Sequence, residues 1–199
     1  TMNKLVLASG NKGKLREFNA LFGRRSIEVI PQTALNVKEA DEPFDTFVEN
    51  ALAKARNAAR QTGLPAMADD SGITAEALNG EPGVKSARYR GEHGNDADNN
   101  AKLVKALAGH ADRRAHYTCV LVAVKSATDP EPIIVDARWD GEVVDDPRGT
   151  GGFGYDPHFY VPDFGRTAAE LTAEEKNDVS HRGRAMRMML EELADRWGW

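Results

Sequence analysis

Lys4-Leu5-Val6-Leu7-Ala8-Ser9-Gly10-Asn11-Lys12-Gly13 holds an apolar run that stops abruptly at a turn bracketed by glycines. Lys4 to Ala8 reads as a short buried strand and Ser9 to Gly13 as the turn that ends it. A helix is predicted from about Lys14 to Phe22, with Leu15, Phe18, Leu21 and Phe22 on its inner face. Ile27 to Ile30 reads as a second strand. Strand, turn, helix and strand in this order open an α/β fold, and the later segments are read in that frame.

Residues 36–45 are polar and acidic. After them Thr46-Phe47-Val48-Glu49 fits a capping box, with Thr46 as N-cap and Glu49 reaching back. In the helix that follows, Phe47, Ala51, Ala55, Ala58 and Ala59 form the buried stripe, and Asn50, Lys54, Asn57 and Gln61 a polar ridge. Pro65 to Ala68 reads as a brief strand ending in Asp69-Asp70-Ser71-Gly72. Asp96 to Ala108 reads as a helix, and Ala115–Val124 and Ile133–Trp139 as strands joined by a polar loop. Gly149 to Pro157 is a glycine-dense loop. A last helix is expected from Ser180 to about Trp197, burying Met186, Met189, Leu190, Leu193 and Trp197. Neither an internal repeat nor a long linker appears. One mixed α/β domain over residues 1–199, with two lobes around a cleft, is the expected organisation.

The chain has 199 residues, 41% hydrophobic and 29% charged, with a formal net charge of −5. These values fit an ordinary globular protein, and the lack of a basic face argues against a dedicated nucleic-acid binder. The single cysteine, Cys119, lies in an apolar run and is expected to be buried and structural. One cysteine permits no internal disulfide, which suits a reducing cytoplasm. No segment is long and apolar enough to span a membrane, and no signal peptide is visible. Thr1 ahead of Met2 reads as a residue added before the native start.

Five clusters could carry chemistry. Ser9-Gly10-Asn11-Lys12-Gly13-Lys14 sits between strand and helix, where free N–H groups and the helix dipole attract anions. Gly10 and Gly13 would allow close approach, and Lys12 or Lys14 full charge. It is not a Walker A loop, because Leu15 stands where Ser or Thr is required. An ordinary glycine turn is the alternative. Asp69 and Asp70, at the end of a strand, suit Mg²⁺; they point to opposite faces, so they differ in role. An Asx-turn is the alternative there. Asp41, Glu42 or Glu49 could complete the metal site, although Glu49 equally suits the cap. Phe153, between glycines, could present a ring for stacking on a base or fold into the core. In Ser180-His181-Arg182-Gly183, Ser180 is a good N-cap, while a cation and a glycine in the first helical turn break local rules, as functional sites often do; a solvated helix end is the alternative. The histidines at 93, 110, 116 and 158 show no metal-ligand spacing.

Taken together, these motifs resemble the inosine/xanthosine triphosphate pyrophosphatase family, which removes non-standard purine nucleotides. The resemblance covers nearly the whole chain. It runs from Leu5–Lys14 through Thr46–Ala51 with Lys54 and Ala55, Ala68–Gly72, Pro82-Gly83, Ser86–Tyr89 and Gly149–Pro157, to Glu170-Leu171, Glu174–Lys176 and Ser180–Gly183. It implies a homodimer with an elongated mixed sheet, flanking helices and two lobes around a central cleft. It implies Mg²⁺-dependent hydrolysis of ITP, dITP and XTP to monophosphate and pyrophosphate. Ser9, Gly10, Asn11, Lys12, Gly13 and Lys14 would hold the triphosphate. Asp70 would bind the metal, with Glu42, and act as base toward water; Ser71 and Lys54 would contact substrate. Phe153, Gly154, Tyr155 and Asp156 would hold the base and sugar, and Lys176, His181 and Arg182 would read the 6-oxo group. Two rivals remain: a Maf-like pyrophosphatase, which lacks the Ser-His-Arg-Gly ending, and a nucleotide-binding protein without catalysis. Asp70 argues against the second.

Overall fold

The opening apolar run becomes strand β1 (Asn3–Leu7), followed by helix α1 (Lys12–Phe22) and strand β2 (Ile27–Pro31), which pairs parallel to β1 from Asn3↔Ile27 to Leu7↔Pro31. The computed structural model describes residues 2–92 and 94–199; Thr1 and His93, both named above, lie outside the described residues. Helix α2 (Phe47–Thr62) leads to β3 (Ala66–Ala75), then α3 (Asp96–Leu107), β4 (Arg114–Val124), β5 (Ile133–Val143), β6 (Phe159–Val161), β7 (Arg166–Thr167), α4 (Ala173–Val179) and α5 (His181–Trp197). The strands form one seven-stranded sheet in the order β2-β1-β3-β4-β5-β6-β7. β1 is parallel to β2 and β3, whereas β5–β6 and β6–β7 are antiparallel, so the sheet is mixed. No helix among the described residues is long and apolar enough to cross a membrane.

The chain divides into two compact units: residues 1–70, 120–136 and 185–199, and residues 71–119 and 137–184. In the first unit, Ala51, Ala55, Ala58 and Ala59 of α2 pack with Val6, Ala8, Ala66, Ala68, Val120 and Val122. Small side chains bring the helix backbone close to the sheet. In the second, Tyr117, Trp139 and Phe159 make an aromatic core, with the Tyr117 and Phe159 centroids 4.4 Å apart. β5 alternates buried and exposed residues from Ile133 to Asp140, the period-two pattern of a strand with one wet face. Cys119 is fully buried, as expected.

Several elements depart from the expected ones. α1 starts at Lys12, because Asn11 caps it by accepting the Lys14 N–H at 3.0 Å. β3 continues through Asp69, Asp70, Ser71 and Gly72. The acids therefore lie in mid-strand, neither at a strand end nor in an Asx-turn; their burial overrides the low strand propensity of Asp. Glu49 bonds the Thr46 hydroxyl at 2.7 Å instead of a backbone N–H. Trp197 is half-buried, its ring edge against Trp199.

Asn50 is buried, although it lies on the polar ridge of α2. Its amide oxygen accepts the Phe44 N–H (3.1 Å) and its amide nitrogen donates to the Phe44 carbonyl (3.0 Å). Farther along the ridge, Asn57 and Gln61 donate to the Lys38 carbonyl at 2.7 and 3.0 Å, and Gln61 accepts the Lys38 N–H at 2.9 Å. The ridge thus clamps the acidic segment at both ends. Asn50→Ala removes two hydrogen bonds to the Phe44 backbone from a buried side chain and should lower stability by about 1–3 kcal/mol in urea unfolding; a loss under about 0.5 kcal/mol would refute the clamp.

Candidate functional site

In the first unit the candidate residues gather around the Lys54 ammonium. α2 presents Lys54 one turn after Asn50, and its Nζ donates to the Asp69 carbonyl (2.8 Å) and Asp70 Oδ1 (3.4 Å). It also meets Glu42 Oε1 at 3.1 Å. Asp69 turns its side chain to Lys14, 3.8 Å away, so the two aspartates do have different surroundings. Three carboxylates therefore share two lysines. Burial would push the Lys54 ammonium down, but Asp70, Glu42 and Asp69 outweigh it and hold it above its ordinary value. Asp70 is left short of counter-charge. Burial, then Glu42 and Asp69, push its carboxyl up to about 6 despite Lys54. Asp70 Oδ2 is buried with no hydrogen-bond partner among the described residues.

An orphaned carboxylate oxygen in an acid-rich cluster could take a cation. Asp70 and Glu42 offer hard oxygens, and Mg²⁺ commonly takes one or two carboxylates, leaving the rest of its shell to water and phosphate. Among the described residues no group of three or more His, Cys, Asp or Glu side chains is arranged to hold a metal. Of the three possible companions to Asp70, Glu42 is the one brought to it. Asp41 is exposed and Glu49 is engaged with its cap.

Beside this cluster is a cavity of about 530 Å³, lined by Ser9, Gly10, Asn11, Glu42 and Lys54 among others. Lys12 and Gly13 lie in the first turn of α1, so their N–H groups have no intrahelical acceptor. Gly10 has a packing reason too: a Cβ there would lie 2.7 Å from the Thr33 methyl carbon. Ser9 accepts the Asn11 N–H at 3.1 Å.

The second unit holds the remaining candidates. Phe153 is 39% exposed, so the ring does not fold into the core. Lys176 Nζ lies 4.6 Å from the ring centroid and the Arg182 guanidinium carbon 5.2 Å. Asp156 is buried; its Oδ1 accepts the Tyr117 hydroxyl (2.8 Å), and its Oδ2 accepts Lys176 Nζ (2.7 Å) and the Phe153 N–H (3.0 Å). Burial, then Asp156, push the Tyr117 hydroxyl well above its ordinary value, so it stays a donor. His181 stacks on Tyr117 at 4.5 Å, with 10° between planes. His181 and Arg182 are 5% and 3% exposed, which removes the solvated helix end.

The structure changes the meaning of three site residues. Both Asp156 oxygens are engaged inside the unit, so its side chain shapes the loop. The Tyr155 side chain is buried and donates to the Ser86 carbonyl at 2.6 Å. Gly183 breaks helix propensity for packing: a Cβ would overlap the Asn177 carbonyl oxygen. Ser180 does cap α5, accepting the Gly183 N–H at 3.0 Å. Ser71, half-buried, follows Asp70 in β3 as the first residue of the second unit. Helix α4, which carries Lys176, was not anticipated, though Thr172 and Glu175 form a capping box that signals it. Tyr117 was also missed, because an aromatic in an apolar strand reads as core.

An α/β sheet with a glycine-bracketed turn at a helix N-terminus, an acid–lysine cluster and an exposed aromatic flanked by cations has the features of a nucleotide-handling protein. Residues 5–192 match the Ham1 family, and the chain belongs to it. It is similar to the dITP/XTP pyrophosphatase of Ralstonia nicotianae, 61% identical over 195 residues (96% of this chain, 97% of that one). The dITP/XTP pyrophosphatase of Nitrosomonas europaea is 57% identical, covering 98% of this chain and 96% of that protein. Among solved structures, a HAM1 protein from Coxiella burnetii superposes with a TM-score of 0.92 at 49% identity, covering 98% of this chain and all of that one.

The raised Asp70 carboxyl has a definite stability consequence. In the unfolded chain it titrates near its ordinary value of 3.8, in the fold at about 6. The ionised group therefore costs stability above pH 6, and the cost disappears below pH 4, where both states are protonated. In EDTA at pH 7.5, Asp70→Asn should be more stable than wild type by about 1–3 kcal/mol, with the difference vanishing near pH 4. Added Mg²⁺ should raise the melting temperature of wild type more than that of the variant. Equal stability at both pH values would contradict this account of Asp70.

Proposed function

We propose that this chain hydrolyses non-standard purine nucleoside triphosphates, ITP, dITP and XTP, to the monophosphate and pyrophosphate, clearing them from the nucleotide pool. The observation that carries the reading is the orphaned, under-compensated Asp70 carboxylate beside a turn rich in free N–H groups. A protein that only binds nucleotides has no need of it. The names of the relatives, dITP/XTP pyrophosphatase, favour the same substrates.

In this proposal Ser9 to Lys14 and Lys54 hold the triphosphate, with Ser71 a further contact. Asp70 and Glu42 would hold Mg²⁺, which would neutralise phosphate charge and lower the pKa of a bound water. Asp70 accepts the proton from the attacking water. The bond between the α- and β-phosphates breaks, and pyrophosphate leaves. Lys54 balances the charge on Asp70 and Glu42 and keeps Asp70 turned toward the phosphates. Phe153 stacks on the base, Gly154 to Asp156 shape its loop, and Lys176, His181 and Arg182 supply donors to the 6-oxo oxygen. The proposed setting is the cytoplasm and the proposed assembly a homodimer, without nucleic acid or membrane.

The direct test is product analysis with inosine triphosphate. Pyrophosphate should appear only with a divalent cation, and Asp70→Asn should lose nearly all turnover. Orthophosphate as first product, or near-normal turnover in the variant, would sink the proposal. Base reading has its own test. Adenine carries a donor amine at position 6, so buried donors facing it would be left unpaired, at about 1–3 kcal/mol each. Arg182→Ala should shrink the kcat/KM ratio of inosine to adenosine triphosphate by about tenfold or more. A constant ratio would mean the 6-oxo group is read elsewhere.

A further inference from the structure

Phe153 stands between Gly152 and Gly154, both in the left-handed region at φ +67° and +60°. Glycine permits this backbone but gives it no stiffness of its own. An exposed ring on such a hinge keeps one position only if its neighbours are tethered. One tether is the Asp156 carboxylate on the Phe153 N–H. The others come from α3. Asp96 Oδ2 accepts the Gly154 N–H at 2.9 Å, and Asn100 Nδ2 donates to the Gly154 carbonyl at 2.9 Å. Asn100 is 7% exposed and is oriented by a second bond, from Nδ2 to the Asp96 carbonyl at 3.0 Å. Asp96 and Asn100 are one helical turn apart, so they project from one face of α3. Both backbone polar groups of the residue after Phe153 are thus held by side chains of one helix.

We infer that Asp96 and Asn100 are positioning residues for the Phe153 ring: by gripping Gly154 through both its N–H and its carbonyl, they fix the surface on which the substrate base stacks. The inference rests on the proposed base-stacking role of Phe153. Both act through the Gly154 backbone, and neither has a part in the proposed phosphate chemistry. Their loss should weaken base binding in ground and transition states alike, which raises KM and leaves kcat comparatively untouched.

The test uses two readouts, one independent of nucleotide. Protein labelled with fluorophenylalanine gives a fluorine line for Phe153, assigned by its loss in Phe153→Leu. In Asp96→Ala and in Asn100→Ala that line should shift or broaden as the ring is freed. KM for inosine triphosphate should rise about tenfold, with kcat changed less than about threefold. Asp96→Asn, whose amide oxygen can still accept from Gly154, should restore both the line and KM. Asp96 is exposed, so its variants guard against a folding defect in Asn100→Ala. An unchanged fluorine line in both alanine variants would overturn the inference. So would an altered line with wild-type KM, or a fall in kcat at constant KM, the mark of a merely destabilised fold. A wild type that does not turn over inosine triphosphate would instead sink the proposed function, and the fluorine line would still decide whether α3 holds the ring.

Discussion

A single ammonium, that of Lys54, joins the parts of the first unit that matter for chemistry. It ties α2 to the β3 backbone at the Asp69 carbonyl, to the Asp70 carboxylate and to Glu42 in the acidic segment. Neutral side chains could make the first bond but not balance the other two charges. Removing a charge from a buried cluster is costly because the remaining partners are left uncompensated in a low dielectric. The lysine lets two carboxylates stand close together and ionised, while leaving Asp70 short of one cation. The unmet charge follows directly from three acids sharing two lysines.

The second unit solves a related problem with the opposite sign. There the central group is a carboxylate, Asp156, which holds Tyr117, Lys176 and the Phe153 N–H. The glycines around it are required by space as well as by conformation. A Cβ at Gly152 would overlap the Asp156 carboxylate, and one at Gly149 would meet the backbone at Ala169. The loop is therefore soft in sequence and firm in the fold, because it is constrained by its own Asp156 and by the side chains outside it that hold Asp156 and Gly154.

How much of this is legible in the residues depends on the kind of force involved. Periodicity places β1, α2, α3, β4 and α5 because each buries an apolar face that repeats. β3 is under-read because Asp69-Asp70-Ser71-Gly72 looks like a polar turn, and only the lysines brought from other elements make burial tolerable. β6 and β7, three and two residues long, exist through pairing and carry little pattern of their own. In the site, Asp70, Lys54, Phe153, His181 and Arg182 stand out as residue types, but their partners do not. Asn50, Asn57 and Gln61 read as a polar ridge, yet what they hold is the backbone of the acidic segment that precedes the helix. The family resemblance implies Tyr155 and Asp156 as base and sugar contacts, whereas packing turns both side chains inward.

The ridge of α2 has one more consequence, for how this chain can change over generations. Its amide side chains grip the acidic segment by main-chain atoms, at Lys38 and at Phe44, while Lys54 alone of the ridge meets a side chain there, that of Glu42. Main-chain atoms are the same whatever the side chain, so residues at those anchor points can drift in identity without loosening the grip. Their spacing cannot drift. The anchors are fixed on α2, and Glu42 reaches Lys54 only while the number of residues between them is kept. Apart from Glu42, the segment should accept replacements readily and reject insertions and deletions, a tolerance opposite to that of most surface loops, where length varies freely.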